Sequence, residues 1–180
     1  MDSAIRPWRP LGGARLLGEA VTAWCEPGDI GAAIHGIENA GAGDVIVIDA
    51  GADLRTAVVG EHLCGVARRR GVAGFVANGA VRDGATLAAW PDFPVFALGR
   101  TARGPISVER GTVNDHIVCG GVPVTSRPRS RRRRRLDRDP AGGGGAVACP
   151  SRERHTLEQG WDERLSTGES MLEVFGIAEA

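Results

Sequence analysis

The sequence predicts an α/β domain, and three observations carry the prediction. The β-branched run Val45-Ile46-Val47-Ile48 and the apolar run Val72-Ala73-Gly74-Phe75-Val76-Ala77 read as buried strands. Between them Leu63, Cys64, Val66 and Ala67 recur at helical spacing. Turn residues mark each change of period, with Gly41-Ala42-Gly43-Asp44 before the first run and Gly71 before the second.

Taken in order, Arg15 to Trp24 reads as an extended segment, and Asp29 caps a helix that runs to about Asn39. After the Val45 strand and a loop, a helix begins near Gly60. It ends on Arg68-Arg69-Arg70-Gly71, where basic side chains suit the negative end of the helix dipole. The strand Val72 to Ala77 then leads into Gly79-Ala80-Val81-Arg82-Asp83. A helix covers Ala85 to Trp90 and Pro91 stops it. Val95 to Leu98 is a short strand, Arg103-Gly104-Pro105 a turn, and Val113 to Val118 a further strand. Alternation of this kind, taken alone, suggests a doubly wound parallel sheet.

Composition narrows the function classes. With 180 residues, 42% of them hydrophobic, the chain can bury one modest core, so one domain is expected. Acidic and basic side chains balance at 22 each, yet the basic charge is concentrated between Arg127 and Arg138. No apolar stretch approaches the length of a membrane span and the first residues are polar and Pro-rich, so the expected location is cytoplasmic. Cys25, Cys64, Cys119 and Cys149 lie far apart without a Cys-x-x-Cys pair, the pattern of reduced thiols rather than of a disulfide or a zinc site. The absence of tyrosine argues against a base-stacking nucleic-acid platform.

The chemistry is carried by Arg82-Asp83 and by Glu61, which stands twenty-one positions before Arg82 in Gly60-Glu61-His62-Leu63. On local sequence alone, an Arg and an Asp after a strand more often form a surface turn or salt bridge, and a Glu at a helix start more often serves the dipole. Together they suit a lyase. Arg82 offers a fixed cation for a substrate carboxylate, Asp83 an anion for a divalent metal, and the amides at the helix start an anion cradle. Breaking a carbon–carbon bond beside a keto group leaves an enolate whose oxygen charge needs a Lewis acid. Magnesium or manganese can bind one carboxylate while water and a chelating 2-keto acid fill the other positions. Glu61 is then placed to position or deprotonate a water on the metal, and that water acts as base in retro-aldol cleavage. His62 is a single imidazole without a partner at metal-ligand spacing and reads as an edge residue of the site.

Several motifs in one order resemble the RraA-like family, which includes 4-hydroxy-4-methyl-2-oxoglutarate aldolases and regulators of ribonuclease E activity. They are Gly43-Asp44-Val45-Ile46-Val47-Ile48-Asp49, Asp53-Leu54-Arg55-Thr56-Ala57, Gly60-Glu61-His62-Leu63, Gly74 to Asp83, Phe93-Pro94-Val95-Phe96-Ala97 and Val118-Cys119-Gly120-Gly121-Val122. The resemblance implies a layered β/β/α sandwich rather than the doubly wound sheet, assembled as a homotrimer or a hexamer. It implies that Gly60, Glu61, His62 and Leu63 hold substrate through backbone amides, that Arg82 binds the pyruvoyl carboxylate, that Asp83 binds Mg²⁺ or Mn²⁺, and that Glu61 marks catalytic competence. An acidic residue from a neighbouring subunit completes the family's site, and no position here matches it.

The resemblance divides the chain into a catalytic core over 1–125, a basic and Gly-rich segment over 126–158 that is expected to be disordered, and a C-terminal helical tail over 159–180. The family's further helical segment before Leu16 to Val21 is expected to be missing. Where the family has a Val-rich strand, this chain has five consecutive arginines within 131–135, which cannot be buried without desolvating unpaired guanidinium groups. A reading-frame slip would account for the block, since arginine codons of the CGN type read one base later specify Val, Ala, Asp or Gly. Three functions are expected from these features: a metal-dependent aldolase and oxaloacetate decarboxylase acting on 2-keto acids, a non-catalytic regulator or inactive relic, and nucleic-acid binding through the arginine block. The last is set lowest, because a charge run is ordinarily a solvated face.

Overall fold

A computed structural model describes residues 1, 4–7, 15–126, 134–136, 160, 161 and 163–177. Among the described residues, ten strands and four helices have both ends defined. They are β1 (Arg6–Pro7), β2 (Ala20–Trp24), α1 (Gly31–Asn39), β3 (Val45–Asp49), β4 (Ala57–Val59), α2 (Glu61–Arg69), β5 (Gly74–Val81), α3 (Gly84–Ala89), β6 (Val95–Arg100), β7 (Gly111–Val113), β8 (Ile117–Cys119), β9 (Val122–Val124), β10 (Arg134–Leu136) and α4 (Met171–Phe175). No helix among the described residues is long and apolar enough to cross a membrane.

The principal sheet has the order β1-β6-β5-β3-β2-β7-β10, with β4 added alongside β5. β2, β3, β5 and β6 are parallel, while β7 and β1 close the two sides of that block in antiparallel sense. From β2 to β6 the chain advances through the sheet in one direction without reversing. Crossovers of one hand that never reverse direction place their helices on one face. The side chains agree: Ile34 of α1, Leu63 of α2, Leu87 of α3 and Met171 of α4 all belong to one core with Ile46, Ile48, Phe75 and Ala77 of the sheet.

The opposite face is used differently. Alternation along β3 sends Val45 and Val47 away from the helices, and with Val76 they pack on Ile117 and Cys119 of the β8–β9 hairpin. Hairpin, sheet and helices therefore form the β/β/α layers that the family resemblance implies. The doubly wound arrangement is replaced because the strand order contains no reversal point.

Local expectations hold with adjustments. Asp29 accepts a hydrogen bond from the Gly31 amide at 2.7 Å and another from the Glu109 amide at 3.0 Å, so it supports the start of α1 from one residue before the cap position. The single strand expected over Val113 to Val118 is two strands, because Asn114 takes a left-handed turn with φ of 66° between β7 and β8. Ser126, the first residue of the expected basic segment, is buried against β2. Its hydroxyl accepts from the Thr22 amide at 2.8 Å and lies 2.9 Å from the Thr22 hydroxyl. Of the arginine block only Arg134–Leu136 is described. Its backbone pairs antiparallel with Gly111–Val113 at the sheet edge. The remainder of 127–159 lies outside the described residues, as does any test of a frame slip there.

The C-terminal tail docks on the helical layer. Ser170 and Glu173 form a capping box at the start of α4, the Met171 amide donates to Glu38 of α1 at 2.9 Å, and Leu165, Met171, Leu172 and Val174 join the core. Cys25, Cys64 and Cys119 are buried free thiols, and Cys149 lies outside the described residues.

Candidate active site

The site is assembled by a strand that the sequence pattern did not disclose. β4 pairs in parallel with the last residues of β5, Ala57 opposite Ala80 and Val59 opposite Val81, and the Arg82 amide donates to the Val59 carbonyl at 3.1 Å. Both strands thus end at one level. β4 leads directly into Gly60 and the first turn of α2, and β5 leads directly into Arg82 and Asp83. The buried run Ala57–Val59 is three residues long, too short to show a period, although the β-branched pair Val58-Val59 was its available signal.

Close approach requires the glycine. A Cβ built on Gly60 would lie 2.5 Å from Asp83 Oδ2, 2.6 Å from Arg82 Cγ and 2.8 Å from Arg82 Nε. The backbone of Gly60 is ordinary and extended, with φ of −151° and ψ of −164°, so contact with the two side chains is what excludes a larger residue here.

Asp83 has a left-handed backbone, φ of 56° and ψ of 36°, a conformation Asp tolerates better than most residues. It precedes α3 yet makes no side-chain cap on that helix. Its carboxylate turns to α2 instead: Oδ2 accepts from the Glu61 amide at 3.0 Å and lies 3.4 Å from Arg82 Nε. Both contacts fall on Oδ2. Arg82 is more enclosed than Asp83, with side-chain exposures of 20% and 35%. Beneath them Cys64 is fully buried, and burial, with a smaller contribution from the Asp83 charge, pushes its thiol well above the ordinary range.

Glu61 is the first residue of α2, and its Oε2 accepts a hydrogen bond from the Thr86 hydroxyl of α3 at 3.2 Å. Leu63 is buried in the core and His62 is half-buried. The amides of the first turn of α2 have no acceptor within the helix, which is what makes a helix start attractive to anions. α2 and α3 are tied at their far ends as well, where Arg68 stacks 5.3 Å from the Trp90 ring and pairs with Asp92 at 2.8 Å.

The structure therefore brings Gly60, Glu61, Arg82 and Asp83 into one group, with His62 and Leu63 in the adjoining turn. Among the described residues no group of three or more His, Cys, Asp or Glu is placed to hold a metal ion. The Asp83 carboxylate is a donor that an open magnesium site could use, with water and substrate filling the other positions. Sequence reasoning missed Thr86, whose link to Glu61 spans 25 positions and leaves no local signal.

A family model described as Aldolase/RraA matches residues 1–128. The chain belongs to the RraA-like family. A provisionally named 4-hydroxy-4-methyl-2-oxoglutarate aldolase of Halalkalibacterium halodurans is 39% identical over 124 residues, covering 69% of this chain and 58% of that protein. Another of the same name, from Thermus thermophilus, is 39% identical over 88 residues, covering 49% of this chain and 53% of its own length. This RraA-like chain thus spans a little over half the length of the curated relatives it matches. Among solved structures, that of the RNA-processing inhibitor RraA of Thermus thermophilus superposes with a TM-score of 0.63 at 31% identity, covering 70% of this chain and 74% of that one. The RraA-like family contains both catalytic members and ribonuclease regulators, and membership alone does not select between them.

Proposed function

We propose that this chain is a divalent-metal-dependent lyase of 2-keto acids. It would cleave substrates of the 4-hydroxy-4-methyl-2-oxoglutarate type to pyruvate by a retro-aldol reaction and decarboxylate oxaloacetate. The observation that supports this reading best is the meeting of Arg82, Asp83 and Glu61 at the joint ends of β4 and β5, against the first turn of α2. A magnesium or manganese ion held by Asp83 would supply the Lewis acidity that pyruvate enolate requires.

The chain's own residues supply the remainder. Arg82 pairs with the keto acid's carboxylate and fixes its orientation, and the amides of the first turn of α2 add donors for the same end of the substrate. The Glu61 carboxylate takes the proton of the substrate hydroxyl as the carbon–carbon bond breaks, and the enolate carbon released takes a proton from solvent to give pyruvate. Decarboxylation releases carbon dioxide from a carboxylate and needs no such base. The homotrimeric or hexameric assembly implied by the resemblance and the cytoplasmic location expected from the sequence belong to this proposal.

The test is pyruvate release from oxaloacetate by the purified protein with and without magnesium, compared with Asp83→Asn. Magnesium-dependent turnover lost in the variant supports the reading, and a folded protein with no turnover under either condition ends it. A second reading, a non-catalytic regulator, is favoured by the likeness to the Thermus RNA-processing inhibitor. Its signature is inhibition of a ribonuclease by a protein that releases no pyruvate.

A further inference from the structure

We infer that Thr86 is a positioning residue that sets the Glu61 carboxylate for proton transfer, an inference that rests on the lyase reading. Glu61 sits at the exposed start of α2, where a long side chain otherwise samples several rotamers. One donor on a neighbouring helix restrains it: Thr86 Oγ1 to Glu61 Oε2, 3.2 Å. That donor is itself held. Thr86 is half-buried in the first turn of α3, next to Leu87, which is 3% exposed in the core and whose amide donates to the Asp83 carbonyl at 3.1 Å.

The turn that presents Thr86 is the one that presents Asp83. Two links of opposite direction therefore join the first turns of α2 and α3: the Glu61 amide donates to the Asp83 side chain, and the Thr86 hydroxyl donates to the Glu61 side chain. With Oε2 engaged by Thr86, Oε1 is the atom that receives the substrate's proton. Any movement of α3 shifts Asp83 and the partner of Glu61 together, so the groups that would hold the metal and take the proton keep their relation to one another.

The experiment compares steady-state kinetics of both reactions in wild type, Thr86→Val, Thr86→Ser, Glu61→Gln and the Thr86→Val/Glu61→Gln double variant, with thermal melting of each. Because only the retro-aldol reaction uses the base, Thr86→Val is expected to lower its kcat by roughly tenfold, a fraction of the full effect of a general base, with KM unchanged. Oxaloacetate decarboxylation is expected to stay within about twofold, Thr86→Ser to restore the aldolase rate, and Thr86→Val to add nothing once Glu61 is Gln. Equal losses in both reactions, no loss in either, or failure of Thr86→Ser to restore the rate would each overturn the inference. If Thr86→Val does not fold, Thr86→Ala carries the same expectations. Wild type without turnover of either keto acid removes the lyase reading and this inference together; active wild type with an insensitive Thr86→Val removes this inference alone.

Discussion

Replacing Gly60 with Ala isolates the feature on which the site depends, the contact between the start of α2 and the Arg82–Asp83 pair. The backbone at Gly60 is one that alanine adopts without strain, so no conformational penalty enters. The added methyl would meet Asp83 Oδ2 at 2.5 Å and Arg82 Cγ and Nε at 2.6 and 2.8 Å, all inside ordinary contact distance. These are side-chain atoms and can swing outward, which limits the overpacking cost to about 1–3 kcal/mol. A loss of that size lowers the melting temperature by roughly 2–4 °C per kcal/mol in a chain of this length. Moving away costs the site more, because the Glu61 amide loses its bond to Asp83 and the Arg82 guanidinium leaves its place. A displacement near 1 Å is on the order of a hundredfold in rate. Gly65→Ala is the internal control. It lies in the same helix, its Cβ would come no nearer than 3.6 Å to Arg69 and 3.7 Å to Trp90, and it should raise stability by about 0.5–1 kcal/mol with activity retained. Melting curves and magnesium-dependent pyruvate release, measured on both variants, decide the matter. Gly60→Ala with wild-type turnover would refute the reasoning.

The buried thiols, the Thr22–Ser126 contact and the assembly each give a further expectation. Burial pushes the Cys25 thiol up to about 12 from an ordinary 9.0, with Asp29 and Asp49 contributing, and burial beside Asp49 pushes Cys119 up to about 11; Cys64 is raised for the same reason. These thiols stay protonated in the folded chain while the unfolded chain ionises, so their contribution to stability is whole below pH 9 and declines above it. The decline is at most about 1.4 kcal/mol per pH unit for each thiol. Denaturant melts between pH 8 and 11 check it, and Cys25→Ala should flatten the curve. Ser126→Ala leaves the buried Thr22 amide without its acceptor and should cost about 1–3 kcal/mol by denaturant unfolding, whereas substitution in a solvated tail would cost nothing. Light scattering of the purified protein should give the mass of a trimer or hexamer; a monomer would contradict that part of the proposal.

How far the sequence could be read depended on whether a feature was local. Val45 to Ile48 showed a strand but not its surroundings: only the sheet order reveals that Ile46 and Ile48 meet helices while Val45 and Val47 meet a hairpin. Helix–strand alternation says nothing about strand order, which is why it pointed to two helical layers and the family motifs to one. Arg82-Asp83 was legible because the two residues are adjacent, and Glu61 because it opens a helix. The residues that bring them together were not. β4 is too short to show a period, Thr86 acts across 25 positions, and the left-handed turn at Asp83 is available to an aspartate without being required of one. Asn114 carried a turn signal, but the alternating character over Val113 to Val118 favoured one strand where two are formed.

The most direct test of the central claim is a Mn²⁺ titration followed by electron paramagnetic resonance, with oxalate present as a stable mimic of pyruvate enolate. One ion bound per chain is expected, with binding strengthened by oxalate and that ion lost in Asp83→Asn while the fold is kept. Equal Mn²⁺ binding by wild type and Asp83→Asn, or binding indifferent to oxalate, would contradict that claim.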